Sequence, residues 1–125
     1  MAKEEITLWI EQSFEDFKAA QYNLKGKQFH VTALLVQQAV EKGLKALFIK
    51  KFGEVPKVHD LVFLAKRLDL PEKLLHYCKK ISPFYIETRY PDAKGFRKTT
   101  DFTLNECKEA LNNCEEILRW IKLNI

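Results

Sequence analysis

From Gln28 to Phe52 the chain contains no proline and a single glycine, and its apolar residues fall into two helical stripes. Phe29, Ala33, Val36, Val40, Gly43 and Leu47 recur at alternating steps of four and three. Leu35, Ala39, Ala46 and Ile49 form a second stripe beside the first. A helix with two apolar stripes must meet neighbours on more than one side, so this segment predicts the central helix of a larger helical assembly. Gly43 inside it costs about 1 kcal/mol against alanine. Close approach of another helix would offset that cost. Gly53 is placed to end the helix, and Pro56 follows in a loop.

The rest of the chain supplies the neighbours. Ile6, Trp9, Ile10, Phe17, Ala20 and Leu24 predict a helix over 3–25, with Phe14 widening its apolar face and Gly26 as its stop. Leu61, Phe63, Leu64, Ala65 and Leu68 predict a short helix over 59–68. Asp69-Leu70-Pro71 starts another, because proline is favoured in a first turn. Leu74, Leu75, Cys78 and Ile81 give that helix its apolar face. Ser82-Pro83 breaks or kinks it, with Ser82 placed to cap a further turn through Ile86. Tyr90-Pro91 ends that turn, and 91–100 reads as an exposed loop. Thr103-Leu104-Asn105-Glu106 matches a capping box. Behind it Leu104, Cys107, Leu111, Cys114, Leu118, Ile121 and Ile125 alternate steps of three and four, as a bundle seam or a subunit interface would require. Gly and Pro number four each, too few for a turn-rich β fold. No segment alternates as a strand does. The expectation is one all-α domain over 1–125, an antiparallel up-and-down bundle of four or five helices joined by short loops.

The N-terminal stretch carries Glu4 and Glu5 where a secretory leader would need basic residues, and no apolar run approaches a membrane span. Cys78, Cys107 and Cys114 form no CxxC pair, and an odd count suits a reducing compartment. Cys107 and Cys114 read as core residues. A cytoplasmic protein with no membrane contact is expected.

The net charge of +4 is uneven along the chain. Residues 1–25 are net −2, three lysines against five acids, and 101–125 are also −2, three cations against five acids. Residues 42–57 are net +4, five lysines against Glu54, and 73–98 are net +5, seven cations against two acids. Basic character therefore sits mid-chain, as a solvated surface or as a patch for phosphate, nucleotide or RNA. There is no glycine-rich phosphate loop, and His30, His59 and His76 fit neither an HExxH nor a zinc-finger spacing. Ser13 and Ser82 lie in no nucleophile motif, and Glu115-Glu116 reads as the solvated face of the last helix. No metal, cofactor or catalytic residue is expected from spacing alone.

Three segments together carry more information. They are Gln37-Gln38-Ala39-Val40-Glu41-Lys42-Gly43-Leu44-Lys45-Ala46-Leu47-Phe48, Val58-His59-Asp60-Leu61 and Thr88-Arg89-Tyr90-Pro91. Their order and separation resemble the HEPN domain (higher eukaryotes and prokaryotes nucleotide-binding). Trp9 through Phe17 and the closing Ile117-Leu118-Arg119-Trp120-Ile121 are similar to that family as well. The resemblance implies a helical bundle, commonly homodimeric, from a prokaryote. It also implies a minimal nucleotidyltransferase as neighbour, in pairs that look like toxin–antitoxin modules. The ribonuclease branch of the family carries an Arg, four to six residues, then a His. Arg89 matches the Arg, yet no histidine follows His76. Arg67 and His76 are too far apart to substitute. A metal-independent ribonuclease needs a proton acceptor for the attacking 2′-hydroxyl, and losing a positioned base costs about 10²–10⁴-fold. Nuclease activity is therefore not carried over.

The candidate nucleotide or RNA ligands are Arg89, Tyr90, His59, Lys42, Lys45, Lys94 and Arg97. Arg89 has the planar fork suited to phosphate, or it pairs with Glu87 or another carboxylate. Tyr90 stacks on a base or packs half-buried. His59 donates to a phosphate or sits near Arg89, or its ring caps a loop or packs on the central helix. Lys42 and Lys45 share a face, with Glu41 one turn from Lys45 in what reads as an exposed ion pair. Lys94, Arg97 and Lys98 read as a mobile basic segment. At least one of Gln37 and Gln38 should be hydrogen-bonded inside the bundle or at an interface. Three readings follow: a nucleotide- or RNA-binding interaction module, an RNA endonuclease with another base, or a purely structural partner-binding bundle.

Overall fold

A computed structural model of the protein describes residues 2–125. These residues are all-helical. Helix α1 spans Ala2–Lys25 and α2 spans Phe29–Phe52. After a loop come α3, Leu61–Arg67, and α4, Glu72–Ile81. A single turn, α5, covers Phe84–Glu87, and a 3₁₀ turn covers Thr99–Asp101. The last helix, α6, spans Leu104–Asn124. The bundle thus has five helices of seven residues or more, within the expected number.

Helices α1 and α2 form an antiparallel hairpin, and α6 packs along both. Helices α3 and α4 form a second, shorter hairpin whose members also touch α2, and α4 touches α6. Helix α2 therefore stands in the middle. Val36, Ala39, Val40, Leu44 and Ala46 are wholly buried. Packing is close at Gly43. A Cβ there would lie 3.0 Å from Ile121 Cδ1 and from Leu118 Cδ2, and 3.1 Å from Ser13 Oγ. The close approach expected from the sequence is thus made by both α1 and α6.

Helix ends follow the residues at them, with three departures from expectation. Gly53 takes φ 79° and returns its N–H to the Ile49 carbonyl, which closes α2 as a left-handed glycine cap. At the end of α1 the left-handed residue is Lys27, φ 58°, and not Gly26. The reversal needs its positive φ one residue beyond the glycine, where the Gln28 N–H reaches the Asn23 carbonyl at 2.9 Å. Helix α4 starts at Glu72 with Pro71 as its cap residue, because Asp69 at φ 55° is still closing α3. Ser82 does not cap the next turn. Its hydroxyl accepts the Leu61 N–H at 3.1 Å, tying the end of α4 to the start of α3.

The stripe on α6 is an internal seam. Cys107, Leu111, Cys114, Leu118 and Ile121 are buried, while Leu104 and Ile125 at its two ends are exposed. Ala110, Asn113 and Ile117 are buried as well, so the face is broader than a two-position stripe. The Thr103 hydroxyl accepts the Glu106 N–H at 3.2 Å, the forward half of the capping box. The Glu106 carboxylate is taken by the Thr103 hydroxyl and Arg97. All three cysteines are free and buried. Burial pushes the Cys78 thiol up to about 12, which fits inert core residues.

Candidate functional site

The middle of α2 carries a polar row one turn apart, Gln37, Glu41 and Lys45, on the same side as Leu44 and Phe48. All five are buried, Lys45 at 5% exposure and Glu41 at 9%. The Glu41–Lys45 pair exists as the spacing predicts, but it is buried and not solvated. A charge in that position must be compensated locally. Glu41 Oε2 accepts from Lys45 Nζ at 2.8 Å, and Glu41 Oε1 accepts from Gln37 Nε2 at 2.8 Å. His59, in the loop before α3, brings Nδ1 to 3.0 Å from Glu41 Oε2. Trp9 of α1 places its ring 5.8 Å from Lys45 Nζ. Burial pushes the Glu41 carboxyl up, but hydrogen bonds from Lys45, Gln37 and His59 outweigh it and hold the group below its ordinary 4.5.

An ionised Glu41 can only accept hydrogen bonds, so His59 Nδ1 carries the proton at this contact. The other ring nitrogen, Nε2, makes no hydrogen bond within the chain among the described residues. The His59 ring is half exposed and stacks on Tyr85, with centroids 4.3 Å apart and planes 14° apart. Tyr85 belongs to α5. One turn further on, Arg89 folds back, donates Nη1–H to the Tyr85 carbonyl at 3.0 Å and sets its guanidinium carbon 4.0 Å from the same ring centroid. One tyrosine ring thus holds His59 and Arg89 in a single cluster.

The arrangement is fixed from both sides. Asp60 Oδ1 caps α3 by accepting the Val62 N–H at 2.9 Å, which sets the turn that presents His59. Ser82 adds the bond to Leu61 noted above, just ahead of α5 and Tyr85. Between these elements lies an open groove of about 430 Å³, with His59, Asp60, Val62, Lys79, Tyr85 and Phe96 in its wall. Arg89 bears on it through the Tyr85 ring. No carboxylate lies within 4.0 Å of Arg89 among the described residues. The expected alternative, an Arg89–Glu87 pair, is absent because Glu87 is committed elsewhere. Most of Arg89's donors remain open to an anion.

The other candidates are scattered. Lys42 Nζ pairs with Asp16 of α1 at 2.7 Å and helps lock the α1–α2 hairpin. Lys45 is buried with Glu41 on the interior side of the cluster. Tyr90 is half exposed, and Lys94 is exposed without an ion pair among the described residues. Arg97 is anchored: its Nε lies 3.3 Å from Glu87 Oε1, its backbone N–H reaches Glu87 Oε2 at 3.3 Å, and its guanidinium bonds Glu106. Burial alone would lower the Arg97 pKa, yet Glu106 and Glu87 raise it. The loop after Pro91 is thereby pinned to α5 and α6, and its expected freedom does not hold at Arg97. Among the described residues no group of three His, Cys, Asp or Glu could hold a metal ion. None of the helices is long and apolar enough to cross a membrane, among the described residues.

Sequence reasoning missed Tyr85 and the central role of Glu41. The signal for Glu41 was present in the apolar Leu44 and Phe48, which fall on the same side of the helix and mark that side as covered. Tyr85 carried no signal beyond its one-turn spacing from Arg89.

Solved structures share this architecture. TT1696 from Thermus thermophilus is 30% identical, with a TM-score of 0.88, over 96% of this chain and 98% of that one. ST0689, described as an archaeal HEPN homologue, is 26% identical, with a TM-score of 0.79, over 95% of this chain and 96% of that one. A comparison with curated proteins finds no match. Among known families, the HEPN domain matches residues 6–124, nearly the full length of α1 to α6. The chain belongs to the HEPN domain family.

Proposed function

We propose that this chain is a single-domain binding and interaction module whose nucleotide or RNA site is built on Tyr85, with Arg89 and His59 as its polar ligands. The observation that carries this reading is an arginine with open donors and a half-exposed imidazole, both held on one aromatic ring beside a groove. Phosphate would go to the Arg89 fork. A base would enter the groove, where Tyr85, Ile86 and Phe96 supply apolar surface. Homodimerisation, and association with a minimal nucleotidyltransferase in a toxin–antitoxin-like pair, follow from the family resemblance. Three buried free thiols fit a reducing, cytoplasmic setting.

One geometric fact favours a second reading, an RNA endonuclease. Glu41 holds His59 by Nδ1, so Nε2 of the same ring is left to accept a proton, and this imidazole shares the Tyr85 ring with Arg89. His59 would then replace the histidine that the sequence lacks after Arg89. One experiment separates the two. A mixed RNA pool is incubated with wild type, Arg89→Ala and His59→Ala, with and without EDTA. The binding reading expects intact RNA in every lane and retention of RNA by wild type that falls with salt. Cleavage by wild type that survives EDTA and is lost in both variants would establish the nuclease instead.

A further inference from the structure

We propose that the junction of α2 and α3 is a second nucleic-acid surface, a stacking platform for single-stranded RNA. Phe52 ends α2 and Phe63 lies on the outer face of α3, and the two are 39% and 40% exposed. Between them stands Arg67. Its guanidinium carbon is 5.0 Å from the Phe52 ring centroid, 5.8 Å from Phe63 and 5.9 Å from the buried Phe48. No carboxylate lies within 4.0 Å of Arg67 among the described residues. Lys66 and Arg67 follow Phe63 by three and four residues, which puts all three on one face of α3. Lys51 adds a further cation, 5.4 Å from the Phe52 ring, and its charge is matched by Asp69 at 3.0 Å.

Exposed rings alternating with unneutralised cations are what an unpaired strand requires. Bases stack on rings, and phosphates take the charges between them. An acidic peptide would use the cations and leave the rings idle. A second copy related by a two-fold axis passing through this patch would bring its Lys66 and Arg67 up to the same two cations. Arg67 ends α3, about 9 Å along the helix axis from Leu61 at 1.5 Å per residue, at the opposite end from the loop that carries His59. The proposal does not depend on nucleotide binding at Arg89.

The test is fluorescence anisotropy with a short labelled oligouridine across a salt series, circular dichroism confirming that each variant stays folded. Phe63→Leu, which keeps apolar bulk and removes the ring, should weaken binding about ten-fold without changing the salt slope. Lys66→Ala with Arg67→Ala should reduce the slope of log affinity against log salt by about 1.4. Arg89→Ala should leave both effects in place. The proposal is overturned by any of three results: oligouridine fails to bind wild type; binding is lost in Arg89→Ala and indifferent to Phe63 and Arg67; or polyglutamate displaces the RNA while Phe63→Leu has no effect.

Discussion

Two basic regions, one in the middle of α2 and one where α2 meets α3, use their charge in opposite ways. In the middle of α2, Lys42 and Lys45 are matched by Asp16 and Glu41 and are partly or wholly covered. Where α2 meets α3, Arg67 and Lys66 are exposed and lack carboxylate partners within 4.0 Å among the described residues, and aromatic rings lie where acids would otherwise be. A segment's net charge therefore does not locate its binding surface. What locates it is which cations the fold has already neutralised. The first region is structural and holds His59 in place. The second is free to meet an anion.

That contrast requires substitutions in the two regions to differ sharply in their effect on stability. The largest effect is expected for Glu41→Ala, which leaves Lys45 buried without its counter-charge. Breaking a buried pair in this way costs about 3–5 kcal/mol, read from urea or guanidinium unfolding. The same carboxylate should appear in the pH dependence of stability. Its folded pKa lies below its ordinary 4.5, so its contribution is complete above that pH and is lost as pH falls through the depressed folded value. Glu41→Gln should therefore flatten the acid limb of the stability curve. An unchanged limb would mean that the row is solvated after all.

Gly43→Ala comes next. The new methyl would meet Ile121 and Leu118 at 3.0 Å and Ser13 at 3.1 Å, closer than ordinary van der Waals contact, and overpacking should exceed the gain in helix propensity. A net loss of about 1–2 kcal/mol is expected, measured in the same denaturant series. A gain in stability would show that α6 can move away from α2. The smallest effect is expected for Arg67→Ala, about 0.5–1 kcal/mol, because it loses only exposed contacts with ring faces and no counter-charge. A loss comparable with that of Glu41→Ala would break the contrast, by making Arg67 structural.

Most of the helical framework is legible in the sequence, because apolar periodicity, the Gly53 cap and the Thr103 box act locally. Gly43 announces its close contacts through its cost inside a helix. The middle row of α2 is not legible in the same way, for a physical reason. The two apolar stripes mark only part of the buried surface, while Leu44 and Phe48 carry burial round to the Gln37–Glu41–Lys45 side. Arg97 escapes sequence reasoning because its partners, Glu87 and Glu106, come from two other elements that only tertiary packing brings to it. The meeting of His59 with Arg89 on Tyr85 is of the same kind. The loop before α3 and the turn of α5 lie far apart in sequence, and no periodicity in either reports the other.

The central claim is that Tyr85 and its two attached side chains form a ligand site. The most direct measurement is an NMR titration of isotopically labelled protein with adenosine monophosphate at low salt, following the Tyr85 ring, the His59 ring and the Arg89 Nε–H signals. The expected result is that these three move together and saturate, and that Arg89→Ala abolishes the response while the remaining spectrum keeps its folded dispersion. Signals that stay fixed while nucleotide binds elsewhere, or a response unchanged by Arg89→Ala, would contradict it.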